Sequence, residues 1–357
     1  MYLTYSCEVK RMKKTKILIT CALGDYMRAE VDCIKAIKDE ALGQIEVYGT
    51  DIRKNTLNYV PLDYFFKVPR IDEDDYLKAI YSICKSNEID LLIPTHSREL
   101  EMFKESRCKF EKVGTKIMVS DGLLNIANDK ILCREFMIAN GMNVPQSAVV
   151  KSFDEYEKLQ RENPDKTFCV KLRNSCGGRG FYVIGDGKYS KGDRTEEKFL
   201  SLECLKGLFN ENDEYLIQEY LPGKEFTVDL ICDNGTFLCG AVKLNTSMKN
   251  GVAENSIIVK NNAALELCKK LAEKLMIDGN AGFDLKESSD GRIYIIDVNP
   301  RLTATISLVV KSGLDLVHLG IRKALRLPLP DDLGEAVEGT EVHRKLYDVF
   351  EREGVII

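Results

Sequence analysis

Over the first third of the chain, short apolar runs alternate with longer stretches of helical spacing. Lys16-Ile17-Leu18-Ile19-Thr20, Ile45-Glu46-Val47-Tyr48-Gly49, Ile89-Asp90-Leu91-Leu92-Ile93 and Lys116-Ile117-Met118-Val119 read as strands. Helical periodicity follows the first strand to about Asp39 and covers Asp74–Ser86. Strand and helix in alternation predict a doubly wound parallel sheet, an α/β unit. The pattern then changes. Leu123–Ala139 has helical spacing, with Asn128-Asp129-Lys130 near its middle and Gly141 and Pro145 closing it. Beyond it, strand alternation prevails over 167–172, 181–184, 215–221, 225–230 and 240–244, broken by helical stretches over 202–209 and 262–275. Hairpins of this kind with interspersed helices are an α+β pattern. Ser307–Leu325 is helical again and stops at Pro328, and the tail from Asp331 to Ile357 is acidic and then helical. The expected organisation is an α/β domain over 1–122, a second unit over 123–330 with a glycine-rich lid near 165–190, and a tail over 331–357 carrying a helix. Residues 1–11, ahead of Met12-Lys13-Lys14, read as an appendage before an alternative start.

Composition narrows the function classes. A formal net charge of −5 argues against nucleic acid as the main partner. No apolar run approaches the ~20 residues that span a bilayer, and the N-terminus lacks a signal-peptide core, so neither a membrane nor export is expected. Twelve cysteines include no CxxC pair and many sit in apolar runs, which suits a reducing cytoplasm. Only three histidines occur, far apart in sequence. The loop after the first strand holds Gly24 alone, so the dinucleotide fingerprint is missing and a nicotinamide dehydrogenase is a poor reading. Asp51 reads as a loop cap. His96, at a strand's C-terminal end, either lines a cleft or caps the next helix.

The chemistry concentrates in Gly282-Phe283-Asp284-Leu285 … Ile296-Asp297-Val298-Asn299-Pro300-Arg301. Asp290-Gly291 between the halves signals a hairpin. A two-residue loop places Ser289 opposite Arg292 and, counting outward, Asp284 opposite Asp297, with Asn299 on the same face. Two facing carboxylates repel, so a cation belongs between them. Oxygen-only ligands suit Mg²⁺, with Mn²⁺ as a substitute, and Arg301 is a planar donor suited to phosphate. Upstream, Lys171 ends a strand ahead of Asn174-Ser175-Cys176-Gly177-Gly178-Arg179-Gly180, a hairpin whose backbone can approach a triphosphate. In Gln218-Glu219-Tyr220-Leu221-Pro222-Gly223-Lys224-Glu225, the segment Glu219–Leu221 can expose backbone C=O and N–H side by side as an adenine edge requires, and Glu225 can take ribose hydroxyls; the plain alternative is that Pro-Gly is only a turn.

These pieces resemble the ATP-grasp superfamily, most closely the branch around the large subunit of carbamoyl-phosphate synthetase and its free-standing relatives. The resemblance runs from Lys16 to Pro330 and rests on Lys130, Val170-Lys171, the glycine loop, Gln218 to Glu225, Asp284, and Asp297 to Arg301. It implies an N-terminal pre-ATP-grasp α/β domain followed by two α+β halves that hold ATP between them. It further implies that Lys130 and Lys171 hold ATP phosphates, with Gly177, Gly178 and Gly180 above them. Glu219 and Leu221 would read adenine, Glu225 the ribose, and Asp284, Asp297 and Asn299 would bind Mg²⁺. Arg301, with Lys171, would act on the transferred phosphoryl group. Asp297 stands where most relatives carry Glu, and Lys171 where the carbamoyl-phosphate enzyme often has Arg. That enzyme also uses two such modules, and this chain has one. The implied activity is ligation of a small carboxylate to an amine through an acyl phosphate, in a chain compatible with a homodimer. The alternatives are a non-catalytic ATP-binding sensor and a carbamoyl-phosphate-synthase-like phosphotransfer.

Overall fold

The computed structural model describes residues 13–24, 26–54, 59–173, 180–185, 199–210, 213–249, 251–345, 350–352 and 355–356. The N-terminal unit is a parallel sheet in the order β3-β2-β1-β4-β5, formed by β1 (Lys14–Ile19), β2 (Gln44–Asp51), β3 (Tyr64–Lys67), β4 (Leu91–Ile93) and β5 (Lys116–Ile117). Helices α1 (Met27–Ala36), α2 (Tyr76–Asn87) and α3 (Leu100–Glu111) cover its two faces. Ile17 and Ile19 enter one core cluster and Leu18 the other, as strand alternation requires of a sheet covered on both sides.

The predicted helix over 123–139 is two helices, α4 (Leu124–Ala127) and α5 (Lys130–Ala139). Asp129 causes the break. Its Oδ1 accepts from the Ile131 and Leu132 amides, a helix N-cap that restarts the chain there. Lys130 therefore sits in the first turn of a helix. A five-stranded sheet follows in the order β6-β10-β7-β8-β9, comprising β6 (Ser147–Val150), β7 (Phe168–Leu172), β8 (Phe181–Ile184), β9 (Phe199–Leu200) and β10 (Tyr215–Glu219), with α6 (Phe153–Glu162) and α7 (Leu202–Leu208). The last large sheet has the order β15-β14-β11-β12-β13-β16. Its strands are β11 (Glu225–Asp233), β12 (Thr236–Lys249), β13 (Val252–Val259), β14 (Gly279–Glu287), β15 (Ile293–Asn299) and β16 (Glu341–His343). Helix α8 (Asn262–Lys274) packs on one face through Ala264, Cys268, Leu271 and Ala272. The helical stretch predicted over 307–325 is divided by Ser312-Gly313 into α9 (Ile306–Lys311) and α10 (Leu316–Ala324), Gly313 taking φ +114°.

One expectation fails among the described residues: the tail over 331–357 shows no helix. Glu341–His343 instead pairs antiparallel with β13, and β17 (Glu351–Arg352) pairs with β18 (Val355–Ile356). The tail's left-handed turns at Gly334 (φ +80°) and Gly339 (φ +83°) suit a chain that returns to cover a sheet edge, which would otherwise leave the β13 backbone unpaired.

Polar contacts are among those that join the N-terminal unit to the rest. Asp39 Oδ2 meets His318 Nε2 at 2.7 Å and the Arg322 guanidinium, and these hydrogen bonds, working against burial, hold the carboxyl down to about 2. Ser120 Oγ accepts from the Asp278 amide at 3.0 Å, and Ser97 Oγ from Arg301 Nε at 3.2 Å.

Candidate active site

The hairpin β14–β15 reaches its predicted pairing by a different path. Its loop has three residues, since the Ser288 amide donates to the Arg292 carbonyl at 2.8 Å and Gly291 takes φ +82°. That shifts the register by one, so Leu285 faces Ile295. A bulge at Ile296 shifts it back, and Asp284 faces Asp297. At the bulge, Lys171 Nζ approaches the Ile296 carbonyl at 3.3 Å.

Around this pair the predicted residues converge. Lys130 Nζ is 3.4 Å from Asp297 Oδ1. Lys171, only 5% exposed, donates to Gln218 Oε1 at 3.2 Å, and burial lowers its pKa. Asn299 Nδ2 donates to Asp284 Oδ2 at 3.0 Å, while its Oδ1 accepts from Arg301 at 3.3 Å. Thr227 Oγ1 donates to Asp284 Oδ1 at 2.9 Å. Burial, then the charges of Asp297 and Glu225, push the Asp284 carboxyl up to about 7. Among the described residues no ion pair reaches Asp284, whose oxygens are met by Thr227 and Asn299 instead. Two carboxylates and a carboxamide make an oxygen donor set that fits Mg²⁺. Among the described residues no group of three or more His, Cys, Asp or Glu side chains forms a metal cage. The remaining ligands would come from phosphate and water, as is usual for this ion.

The nucleotide-side residues lie on the neighbouring strands. Gly180 (φ +81°) closes the β7–β8 hairpin, its carbonyl accepting from the Leu172 amide at 2.9 Å. Gly177 and Gly178 lie outside the described residues. Glu219 ends β10, its carboxylate 2.8 Å from Lys166 Nζ and its amide donating to the Gln146 carbonyl. Leu221 is buried just beyond it. Among the described residues no turn or loop hydrogen bond engages the Glu219 carbonyl or the Leu221 amide, the two groups expected to read adenine. Glu225 Oε2 lies 3.3 Å from Lys286 Nζ. Arg301 donates to Ser97 Oγ and to the Leu302 carbonyl, bridging the hairpin and the first domain.

Four residues escaped the sequence reading. Arg173 holds Asp129 and Glu214, each at 2.6 Å, and so fixes the turn that presents Lys130. Glu30 and the ion pair Asp229–Lys243 are buried charges in stretches that read as ordinary helix and strand. A charge inside an apolar strand, such as Lys243 between Val242 and Leu244, was the one available signal. His96 takes the bland role: its Nδ1 accepts from the Arg98 amide at 3.2 Å as a cap. Asp51 likewise caps, accepting from the Leu23 and Arg53 amides.

A cleft of about 350 Å³ between β5 and α10 reaches Pro300 and Arg301. Its charges answer one another, Arg107 with Asp121, Lys116 with Glu111, and Lys323 with Asp278, so it is an ion-paired seam between domains.

Comparisons with known proteins bear on the fold and family of the chain. Residues 211–345 match the family described as ATP-grasp in the biosynthetic pathway with Ter operon, and residues 17–118 the PylC-like N-terminal domain. A carbamoyl-phosphate synthase of Methanobrevibacter smithii is 26% identical over 318 residues, covering 84% of this chain and 80% of that protein. The carbamoyl phosphate synthase large chain of Agathobacter rectalis is 26% identical over 224 residues, 59% of this chain but 20% of its own length. The chain thus spans only about a fifth of that relative. Among solved structures, the ADP complex of an N5-carboxyaminoimidazole ribonucleotide synthetase matches 92% of this chain and 80% of its own, with a TM-score of 0.64 at 18% identity. The L-amino acid ligase of Bacillus licheniformis matches 88% of this chain and 75% of its own, with a TM-score of 0.64 at 14% identity. Residues 211–345 thus carry the ATP-grasp match and residues 17–118 the PylC-like one, and the chain shares the fold of these solved ligases.

Proposed function

We propose that the protein is an ATP- and Mg²⁺-dependent ligase that activates a small carboxylate as an acyl phosphate for attack by an amine. The observation that carries this reading is the facing pair Asp284–Asp297, with Asn299 beside it and Lys130, Lys171 and Arg301 converging on one spot. ATP-grasp relatives crystallised with ADP and with MgADP support ATP and Mg²⁺ as the working pair, and Mn²⁺ fits the same oxygens. Bound between the carboxylates, the metal would neutralise phosphate charge and fix the phosphates for transfer. The chain's own part is positioning. Lys130 and Lys171 hold phosphate oxygens, Glu219 and Leu221 present backbone groups to adenine, and Glu225 takes the ribose hydroxyls. Gly177, Gly178 and Gly180 belong to the lid over the phosphates, within an ATP-grasp unit over 123–330. Arg301 stabilises the phosphoryl group in transit, an interaction made mainly in the transition state.

Free thiols at all ten described cysteines support residence in a reducing cytoplasm, and sedimentation would test a homodimer. The functional test is ADP release with ATP, Mg²⁺ and a panel of small carboxylates and amines. ADP formed only when an acid is present, and amide when an amine is added, is the expected result. Tight ATP binding with no acid-dependent ADP release across the panel would leave the protein a nucleotide sensor.

A further inference from the structure

Glu30 lies in the first turn of α1, the helix that follows β1, toward the carboxyl ends of the strands where open α/β sheets receive ligands. It is 4% exposed, and its Oε1 is wholly buried without a hydrogen-bond partner. A buried carboxylate of this kind is costly unless something answers it. Three other elements meet at the same place. The Arg301 loop is tied to the N-terminal domain through Ser97. Helix α9, which follows that loop, packs on α1. Arg344 of the tail donates to the Ala304 carbonyl and lies 5.4 Å from the ring centroid of Tyr26, the residue that opens α1. Arg301 is the charge felt by Glu30, yet no ion pair forms between them.

Building on the ligase reading, we propose that Glu30 receives the ammonium group of the amine substrate and takes its first proton. A primary alkylammonium brings the positive charge and the N–H donors that Glu30 lacks. Loss of one proton to Glu30 gives the neutral amine. Its lone pair forms the C–N bond to the acyl carbon as the C–O bond to phosphate breaks. Phosphate leaves with that electron pair and carries off the second proton. Burial pushes the Glu30 carboxyl up to about 7, which suits a group that takes a proton near neutral pH. Arg301 then serves the phosphoryl side of the same reaction centre, so the two substrates meet between Glu30 and Arg301.

The test measures calorimetric binding of the standard amino acids and putrescine to the full chain with MgADP present, for wild type and Glu30→Gln. Hydroxylamine trapping of the acyl phosphate runs in parallel, since hydroxylamine is neutral at pH 7 and needs no base. The expected result is an amine that binds wild type and binds Glu30→Gln at least ~30-fold more weakly, about 2 kcal/mol. Glu30→Gln should also trap hydroxamate at the wild-type rate and melt no lower than wild type at pH 8. Equal amine affinity in Glu30→Gln, no binding by wild type, or a lower melting temperature would overturn the assignment. Glu30-dependent amine binding without hydroxamate from any acid would keep Glu30 as the ammonium site and remove the ligase reading.

Discussion

One face of the large sheet carries two clusters of charge, and they are built in opposite ways. At the closed end, Lys243 is 0% exposed and forms an ion pair with Asp229. Thr303 donates to Asp229 at 2.7 Å, and Thr303 and Thr305 accept from Lys243. At the open end, two residues along β11, Thr227 leads to Asp284, which stands opposite Asp297, with Lys130 3.4 Å from Asp297 and Lys171 reaching the neighbouring Ile296 carbonyl. The closed cluster has one charge of each sign and completes itself. The open cluster keeps two carboxylates face to face, with no ion pair to Asp284 among the described residues, and that facing pair is what marks a site prepared for a cation. The two are joined mechanically. The Pro300–Thr305 loop that carries Arg301 rests on Lys243 and Asp229, and Gly282 makes room for it, since a Cβ there would lie 2.0 Å from Thr303 Cγ2.

The largest expected effects are mirror images. Lys243→Met strips the cation from a buried carboxylate and should cost roughly 3–5 kcal/mol of stability. Asp297→Asn removes one of two repelling charges, so the metal-free fold should hold or gain slightly while acid-dependent ADP release falls by ~10³. Denaturant unfolding beside turnover measures both. A Lys243→Met protein as stable as wild type would erase the distinction between the clusters, as would an active Asp297→Asn.

A smaller effect separates the loop from the metal pair. Arg301→Met keeps the stem and removes the planar charge. Turnover should fall by ~10², with ATP affinity nearly unchanged, because the contact belongs to the transition state. Lys171→Met should weaken ATP binding itself. If calorimetry shows Arg301→Met losing binding in step with turnover, Arg301 holds the resting nucleotide instead.

The open cluster was legible in the sequence because aligned Asp, Asp and Asn on a hairpin announce their face by alternation alone. The pairing of Asp284 with Asp297 came out right although the loop is one residue longer, because the bulge at Ile296 restored the count. Bulges leave no alternation signal at so short a range. The closed cluster was not legible, since Lys243 lies in a strand with buried residues on both faces, where period two says nothing about which way a charge points. Glu30 and Arg173 matter only through partners far along the chain. The restart of the helix at Lys130 was readable in Asp129, a standard N-cap residue, had the helix not been taken as continuous. The tail misled for the opposite reason: its strand exists to cover β13, a tertiary need with no local signature.

The smallest effect concerns pH. Asp284 has a folded-state pKa of about 7, above its ordinary value of 3.8. Below about pH 4 both folded and unfolded chains carry the proton. Between about 4 and 7 only the folded chain does, so folding binds a proton and stability falls as pH rises through this window; above about 7 the loss is complete. Glu30, also raised to about 7, acts in the same direction. Melting curves of the metal-free protein from pH 4 to 8 should therefore decline by a few degrees, and Asp284→Asn and Glu30→Gln should each remove part of the decline. Mg²⁺ tells the two apart. Metal ligands must be deprotonated, so Mg²⁺ should raise the melting temperature most at pH 8 and flatten the Asp284 share, with proton release on binding. It should leave the Glu30 share in place, because the charge that acts on Glu30 is that of Arg301 and not of the carboxylate pair. A decline that Mg²⁺ does not touch in the wild-type protein would mean that the open cluster, like the closed one, needs no cation from outside.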